Sequence, residues 1–341
     1  MPNILDGITA ADLTAYARSV PDPAEFTLSR FLPEVKIQGI KYRIRNTFSS
    51  VNAARFRAYD AETPISRPYI RTKLGEGMLP PVGEKGQIGE LETLLEQMAR
   101  GADNQPAIDQ AFDLAGAYAL AIRTRMEVTR GQLLATGTYE LPTSDGHMES
   151  ADWALKGTHK VTAATVWSNP AALAITDEQN WRAVVKADTI GSNPTAVITS
   201  TKVQGWLSQN IQYQTAYLGA QNLRPLNPAE INTVRANWSL PPLTIYDTQV
   251  PVDTVLGRVI PDNLFIMLVE NQFGQTQFGT TAHGLILARG AAAQITRDEA
   301  PGIVVVTEAI ADPPSEWVIG AANAAPIPFN MDQLLIATVG A

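Results

Sequence analysis

The longest regular pattern of hydrophobic positions lies between residues 103 and 137. Apolar or small residues recur there at intervals of four and three, at Ile108, Phe112, Ala115, Ala119, Ile122 and Met126. This spacing places them on one face of an α-helix. Asp103 or Asn104 can cap the first turn, and Gly137 can end the helix. We therefore predict a long helix over residues 104–134; at about 1.5 Å per residue, about 28 residues of it would span roughly 40 Å.

Residues 34–80 carry the two-residue alternation of β-strands. Apolar and polar residues alternate from Val35, the alternation shifts by one residue at Gly39, and it returns over residues 51–60. A shift of this kind at a glycine is typical of a β-bulge. We therefore predict one long hairpin, ending in a hinge at residues 74–86 because that segment is rich in glycine and proline.

Before the hairpin the pattern supports only one short helix, over residues 10–20, with Thr9 as its cap. Three prolines and little further periodicity predict that residues 1–33 otherwise form an extended arm. The remaining elements predicted for the first half of the chain are a helix and two strands, at residues 87–100, 138–141 and 159–167.

The chain after Trp167 predicts a compact α/β unit over residues 168–300. Two segments carry the capping-box signature of a helix start, at residues 176–179 and 227–230. Other predicted elements are three strands and one helix, at residues 195–200, 243–246, 264–269 and 203–210. From Pro301 onward a strand and a final apolar run, residues 333–339, are expected to return to the body that contains the long helix.

Composition narrows the possible functions. The chain has 341 residues, 45% of them hydrophobic and 18% charged, which is enough for a large core beneath a surface of rather low charge. The net charge of −8 argues against general nucleic-acid binding. The absence of cysteine excludes disulfides, thiolate metal sites and cysteine nucleophiles. No signal peptide and no membrane-spanning run are evident, so we expect a cytoplasmic origin.

The charge is unevenly distributed along the chain. Residues 30–73 contain ten Lys or Arg against three Asp or Glu, whereas the rest contains 16 basic and 31 acidic residues. A basic arm on an acidic body could bind nucleic acid or the acidic body of another copy. A solvated, charged hairpin is the simpler alternative.

Residues with catalytic potential are scattered. The three histidines, His147, His159 and His283, are far apart, and none has a partner at metal-ligand spacing. No nucleophile elbow, phosphate-binding loop or dinucleotide-binding glycine motif occurs. We therefore expect no catalytic, cofactor-binding or metal-binding residue.

Five short segments, taken in order, carry a resemblance to a known family. They are RFRAYDAETP at residues 55–64, RME and QLLATG within 125–137, WSNP at 167–170, IYD at 245–247, and Gly257 with IPDN at 260–263. In this order they resemble the major capsid proteins of tailed bacteriophages, specifically the lambda-like major capsid protein E family. The resemblance spans most of the chain. The first 30 residues and residues 284–301 match least.

The resemblance implies an α+β fold of the Hong Kong 97 (Johnson) type. Its parts would be an N-terminal arm, an extended E-loop hairpin, a peripheral P-domain with residues 104–134 as its spine helix, an axial A-domain, and a return to the P-domain. The corresponding ranges are 1–33, 34–80, 81–167, 168–300 and 301–341.

The resemblance also implies a structural role. The chain would self-assemble through hexamers and pentamers into the icosahedral head shell of a double-stranded DNA phage, in the host cytoplasm, and would undergo procapsid maturation. Its partners would be other copies, a portal, a scaffold, a decoration protein and non-specifically packaged DNA, with no membrane. The basic E-loop would contact the acidic P-domain of the next subunit, through Lys41, Arg43, Arg45, Arg55 and Arg57.

Two other functions remain open at this point. An encapsulin-type compartment shell has the same fold but encloses enzyme cargo. A cytosolic α/β enzyme with carboxylate chemistry in residues 168–300 is a different class, and the lack of a clustered acid–base constellation argues against it.

Overall fold

The computed structural model describes residues 9–50, 69–88, 105–142, 148–189, 191–221, 223–252, 255–270, 273–289, 294–311 and 314–340. The helices in this part of the chain are α1 (Ala10–Ser19), α2 (Gln105–Thr136), α3 (Ala174–Asp188), α4 (Thr201–Gln209), α5 (Ile211–Leu218), α6 (Pro228–Asn237) and α7 (Ala282–Leu287). None of them combines the length and the apolar character needed to cross a membrane.

The strands of the described residues are β1 (Glu34–Lys36), β2 (Lys41–Ser50), β3 (Tyr69–Met78), β4 (Pro81–Ile88), β5 (Thr138–Pro142), β6 (Met148–Asp152), β7 (Lys160–Thr162), β8 (Ala196–Thr199), β9 (Leu243–Ile245), β10 (Gln249–Val252), β11 (Val255–Arg258), β12 (Leu264–Leu268), β13 (Gly274–Gly279), β14 (Val304–Ala311), β15 (Pro314–Pro328) and β16 (Leu334–Thr338). They form two five-stranded sheets and three two-stranded ones.

The long helix is present, and α2 runs for 32 residues. Its predicted apolar stripe lies against the first sheet, which has the order β1-β13-β15-β14 with β4 also paired to β15. Four residues of the predicted stripe, Ala115, Ala119, Ile122 and Met126, are fully buried, whereas Ile108 and Phe112 are partly buried. Close approach depends on small residues on both sides, since a Cβ added at Gly320 of β15 would lie 2.6 Å from the Cβ of Tyr118. Gly137 follows α2 at φ +78°, where glycine is favoured.

The second sheet has the order β7-β16-β12-β8-β9 and is buried on both faces. Alternate residues of each central strand point to opposite sides. In β12, Phe265 and Met267 face a layer made of α3 to α6, whereas Ile266 and Leu268 face the C-terminal half of α2. The fully buried, continuous hydrophobic run predicted for this strand is confirmed.

The N-terminal segment corrects one prediction. Helix α1 is present with Thr9 and Asp12 forming its capping box, but residues 9–33 are not an extended arm. Leu13 packs against α2 and β14, while Leu28 and Phe31 are fully buried in the core between α2 and the second sheet. The prolines interrupt helix formation, yet they do not prevent the chain between them from burying apolar side chains.

The predicted 34–80 hairpin is two separate structures. β1 pairs in parallel with β13, and the antiparallel hairpin consists of β2 and β3 only. Gly39, at φ +90°, is not a bulge within a strand, because it lies in the connection between β1 and β2. The segment 74–86 is not a hinge either, since nearly all of it belongs to β3 and β4. The predicted strand at 51–60 lies outside the described residues.

The segment from Pro301 divides between the two sheets, and two further predictions are corrected. β14 and β15 lie in the first sheet beside α2, whereas β16 pairs with β12 and β7 in the second sheet, and one of its faces contacts the core beside α2. The helix predicted from residue 87 cannot begin there, because Gln87 and Ile88 end β4, and residues 89–100 lie outside the described part. Helix α3 begins at Ala174, before the expected box at residues 176–179.

Candidate subunit interface

The β2–β3 hairpin presents an exposed charged face. The register places Lys41 opposite Met78 and Arg43 opposite Glu76. Lys41 and Arg43 are exposed, and Met78 is 65% exposed. Arg43 Nε lies 3.1 Å from Glu76 Oε1, in an ion pair that is open to solvent. An exposed pair of this kind contributes little to stability, so it leaves the guanidinium available to another chain.

The opposite face of the hairpin is anchored in the core. Ile44 is buried, and the centroid of the Tyr42 ring lies 6.0 Å from that of Trp153, the residue after β6. Gly77 allows this arrangement, because a Cβ there would fall 2.2 Å from the Tyr42 hydroxyl oxygen. Burial raises the pKa of the Tyr42 phenol, which therefore stays neutral. The hairpin thus has an apolar root and a basic outer face.

The five residues predicted for the interface fall into three groups. Lys41 and Arg43 lie on the exposed face of β2. Arg45 lies two positions further along the same strand, opposite Leu74. Arg55 and Arg57 lie outside the described residues. The structure therefore brings the first three onto one strand, β2.

A buried polar cluster on α2, which the sequence interpretation missed, joins distant parts of the chain. The carboxylate of Glu127 accepts hydrogen bonds from the Leu28 backbone N–H, the Tyr246 hydroxyl and Arg130, at 3.0, 3.0 and 3.2 Å. Arg130 also donates to Glu34 and to the Thr276 hydroxyl, each at 2.8 Å. We call these residues the α2 junction. Arg130 follows Met126 by four positions on the apolar stripe, and that spacing was an available signal.

Electrostatics in the α2 junction follow from burial. Burial raises the pKa of the Glu127 carboxyl, while its hydrogen-bond donors and Arg130 oppose that change. Burial also raises the pKa of the Tyr246 phenol, aided by the neighbouring carboxylate. Tyr246 therefore donates to Glu127 rather than ionising.

A second buried cluster lies within the helical layer. Glu178 of α3 pairs with Arg235 of α6 at 2.8 Å and accepts from the Tyr213 hydroxyl of α5 at 2.6 Å. Arg235 also donates to the Pro241 carbonyl oxygen at 2.8 Å. Burial raises the pKa of Glu178. We call these residues the helix-layer cluster. These residues are far apart in the sequence, so no spacing pattern predicts the cluster.

Among the described residues, no group of three or more histidines and carboxylates could hold a metal ion. His159 is buried with its two ring nitrogens 2.7 Å from the Leu334 carbonyl oxygen and 2.8 Å from Asp188, so it ties β16 to the end of α3. That hydrogen bond holds the pKa of Asp188 below its usual value.

A comparison with models of protein families identifies the family of this chain. The family model described as phage major capsid protein E matches residues 9–339. The chain belongs to that family. It is therefore a major capsid protein, a structural subunit of a phage head shell and not an enzyme. The family match favours this function over an encapsulin-type compartment. No curated protein matches the chain.

Solved structures agree on the fold. A prophage protein of E. coli CFT073 assigned as its capsid protein aligns with a TM-score of 0.64 at 14% identity, over 98% of this chain and 99% of its own. A phage-related protein of Bordetella bronchiseptica RB50 aligns with a TM-score of 0.57 at 14% identity, covering 96% and 95%. The capsid of an empty GTA particle reaches 0.50 at 10% identity, covering 94% and 91%. The fold is the α+β, Hong Kong 97-type capsid fold.

Proposed function

We propose that the basic face of the β2–β3 hairpin joins neighbouring subunits of the head shell. One observation carries the proposal: the hairpin has an apolar root in its own subunit and an exposed, basic outer face. A strand pair standing alone is only marginally stable in water. Contact with a second copy would give the hairpin support in addition to that of its root.

The surface offered by the neighbour would be acidic. Residues 81–113, which follow the hairpin, contain seven Asp or Glu and two Lys or Arg. Among them, Glu84 on β4 and Asp113 on α2 are exposed. A basic hairpin on one side of the subunit and an acidic region elsewhere make a head-to-tail contact, which closes into rings when the rotation allows. Permanent contacts of this kind bury roughly 2,000–5,000 Å².

In this proposal the parts keep the family's names with adjusted limits. The E-loop is the β2–β3 hairpin with the residues between its strands, and α2 with the first sheet forms the P-domain. The helical layer with the second sheet forms the A-domain, which also receives β16. Residues 9–33 serve as an N-terminal segment packed on their own subunit.

The finer partners follow from the same role. Hexamers and pentamers of the chain would build an icosahedral shell in the host cytoplasm, together with a portal, a scaffold and a decoration protein, and would enclose double-stranded DNA. The acidic balance outside residues 30–73 suits a container whose wall repels the duplex weakly while it is packaged. A shell structure with a strongly basic inner wall would contradict this last point.

The test of the hairpin reverses its charges. Lys41→Glu combined with Arg43→Glu, and separately Arg55→Glu and Arg57→Glu, should leave the subunit folded but lower the yield of closed particles in electron micrographs. Lys186→Glu is the matched control, because Lys186 is exposed on α3, away from the hairpin. We expect wild-type yield from the control. Normal particles from all the hairpin variants would contradict the proposal.

A further inference from the structure

The A-domain carries a groove of about 410 Å³ whose lining is mainly apolar. It lies between the starts of α3 and α5 and the end of α6. Its outward-facing residues include Leu173, Ile211 and Trp238, which are 58%, 43% and 45% exposed. Gln212 of the lining already bonds to the Ile175 N–H and the Thr176 hydroxyl, so the groove offers few free polar groups. Large apolar side chains exposed together are typical of an interaction site.

A hairpin with exposed apolar side chains lies on the same domain. In the β10–β11 hairpin, Val250 packs into the core, whereas Val255 and Leu256 are 70% and 64% exposed. Leu256 faces Pro251 across the two strands, and Pro251 is also exposed. The chain therefore carries an apolar groove and, separately, a hairpin with exposed apolar side chains.

These two surfaces lie on opposite sides of the second sheet. Val250 and Val252 pack with the residues of β12 that face α2, such as Ile266. Ala172 and Ile175, beneath the groove, pack with Phe265 and its neighbours on the other face. A head-to-tail contact requires complementary surfaces on opposite sides of one subunit. The hairpin of each copy can then enter the groove of one neighbour, while its own groove receives the hairpin of another.

Charges beside the two surfaces are also complementary. Glu25 is exposed near the base of the hairpin, where the Thr248 hydroxyl donates to its carbonyl oxygen at 2.9 Å. Arg182 lies beside the groove and donates to the carbonyl oxygen of Ser239, the residue after Trp238, at 2.7 Å. Neither side chain forms an ion pair with another described residue.

We propose that Val255 and Leu256 of one copy dock into the groove lined by Leu173, Ile211 and Trp238 of the next copy, with Glu25 facing Arg182 across the contact. The occupant is a second copy because the family builds shells from many copies and because one chain supplies both halves of the contact. This inference rests on the proposed self-assembly. The contact lies between A-domains and is separate from the one made by the β2–β3 hairpin.

A disulfide trap tests the contact directly. The chain has no cysteine, so a variant with Leu256→Cys and Ala216→Cys carries only the two introduced thiols. Ala216 lines the groove and is exposed. After assembly and mild oxidation, we expect a ladder of covalent oligomers up to a closed ring on a non-reducing gel. The control pairs Ala216→Cys with Ile286→Cys, at a residue 66% exposed elsewhere, and should give no ladder.

The outcomes separate this inference from the proposed function. Particles that form without a ladder above the control would overturn the docking contact while leaving self-assembly intact. If the cysteine variant does not assemble, variants that exchange the charges of Glu25 and Arg182 test the contact. Glu25→Arg and Arg182→Glu should each lower particle yield roughly tenfold, because like charges would then face each other, and the combined variant should restore it. A combined variant no better than the single ones would also overturn the contact.

Discussion

The α2 junction and the helix-layer cluster each bury a glutamate and an arginine, but they connect different things. In the helix-layer cluster, Glu178, Tyr213 and Arg235 come from three helices of one layer. In the α2 junction, Glu127 and Arg130 lie one turn apart on one helix. Their other partners come from the N-terminal segment, β1, β13 and the loop after β9. The helix-layer cluster therefore stabilises a single layer, whereas the α2 junction connects several parts of the chain.

The two clusters also differ in how far their charged groups lie from solvent. Every charged atom of the helix-layer cluster is far from solvent, with Glu178 fully buried and Arg235 1% exposed. The α2 junction reaches the surface through Glu34, whose side chain is 39% exposed. Removing one partner should therefore leave a more poorly solvated charge in the helix-layer cluster than in the α2 junction.

The largest expected effect is from Arg235→Ala. The substitution leaves Glu178 buried with only the Tyr213 hydroxyl as a donor, and we expect the free energy of unfolding of the unassembled subunit to fall by about 3–5 kcal/mol. Urea denaturation measures it. A control that replaces both charges, Glu178→Leu with Arg235→Met, should recover much of that loss. A single variant as stable as the wild type would show that the pair is not desolvated as described.

Arg130→Ala should have a smaller effect, and a more local one. Glu127 would keep its bonds from Leu28 and Tyr246, so we expect a loss of about 1–3 kcal/mol. Because Arg130 holds Glu34 and Thr276, its removal should also make residues 28–36 more accessible to limited proteolysis. The comparison variant is Arg235→Ala, measured under conditions in which the same fraction of each variant is folded. Equal cleavage of that segment in both variants would mean that the α2 junction does not join these parts.

What the sequence could predict was local. Thr9 and Asn227 were identified as helix caps, and both form complete capping boxes. The stripe on α2 was identified from spacing alone. The signal at residues 176–179 was equally local but was overridden, because Ala174 and Ile175 are buried in the core and their packing extends the helix toward its N-terminus.

What it could not predict was pairing over long distances. The alternation of apolar and polar residues on both sides of Gly39 fits a bulge as well as a turn between strands of different sheets. The sequence also does not show that β1 pairs with β13, which lies about 240 residues away. The same holds for β16, whose apolar run fits either sheet. At the interface, the charge pattern located the basic hairpin, but only the structure showed that Tyr42 and Gly77 root it.

Tyr246→Phe removes one donor from the α2 junction and little else. The loss of a single hydrogen bond to Glu127 should lower the free energy of unfolding by about 1–2 kcal/mol. Tyr213→Phe is the matched change in the helix-layer cluster, where the hydroxyl both donates to Glu178 and accepts from Arg235. We expect the Tyr213 variant to lose more. The reverse order in urea denaturation would contradict the comparison.

The smallest effect is a dependence on pH. Burial raises the pKa of Glu127 in the folded subunit, so between its unfolded and folded pKa the native state binds more protons than the unfolded state. Stability from this group is therefore present at low pH and is lost as pH rises through the folded pKa. Relative to Glu127→Gln, the wild type should gain stability on acidification from neutral pH, as it should relative to Glu178→Gln.

Glu230 supplies the control of opposite sign. Arg224 and the capping interaction with Asn227 lower the pKa of Glu230 to about 2, so its stabilisation should be lost as pH falls below the ordinary range of a glutamate. Relative to Glu230→Gln, the wild type should therefore lose stability on acidification. Denaturation curves at several pH values for the three glutamine variants test both signs together. If Glu127→Gln behaved like Glu230→Gln, the carboxylate of the α2 junction would be better compensated than its burial implies.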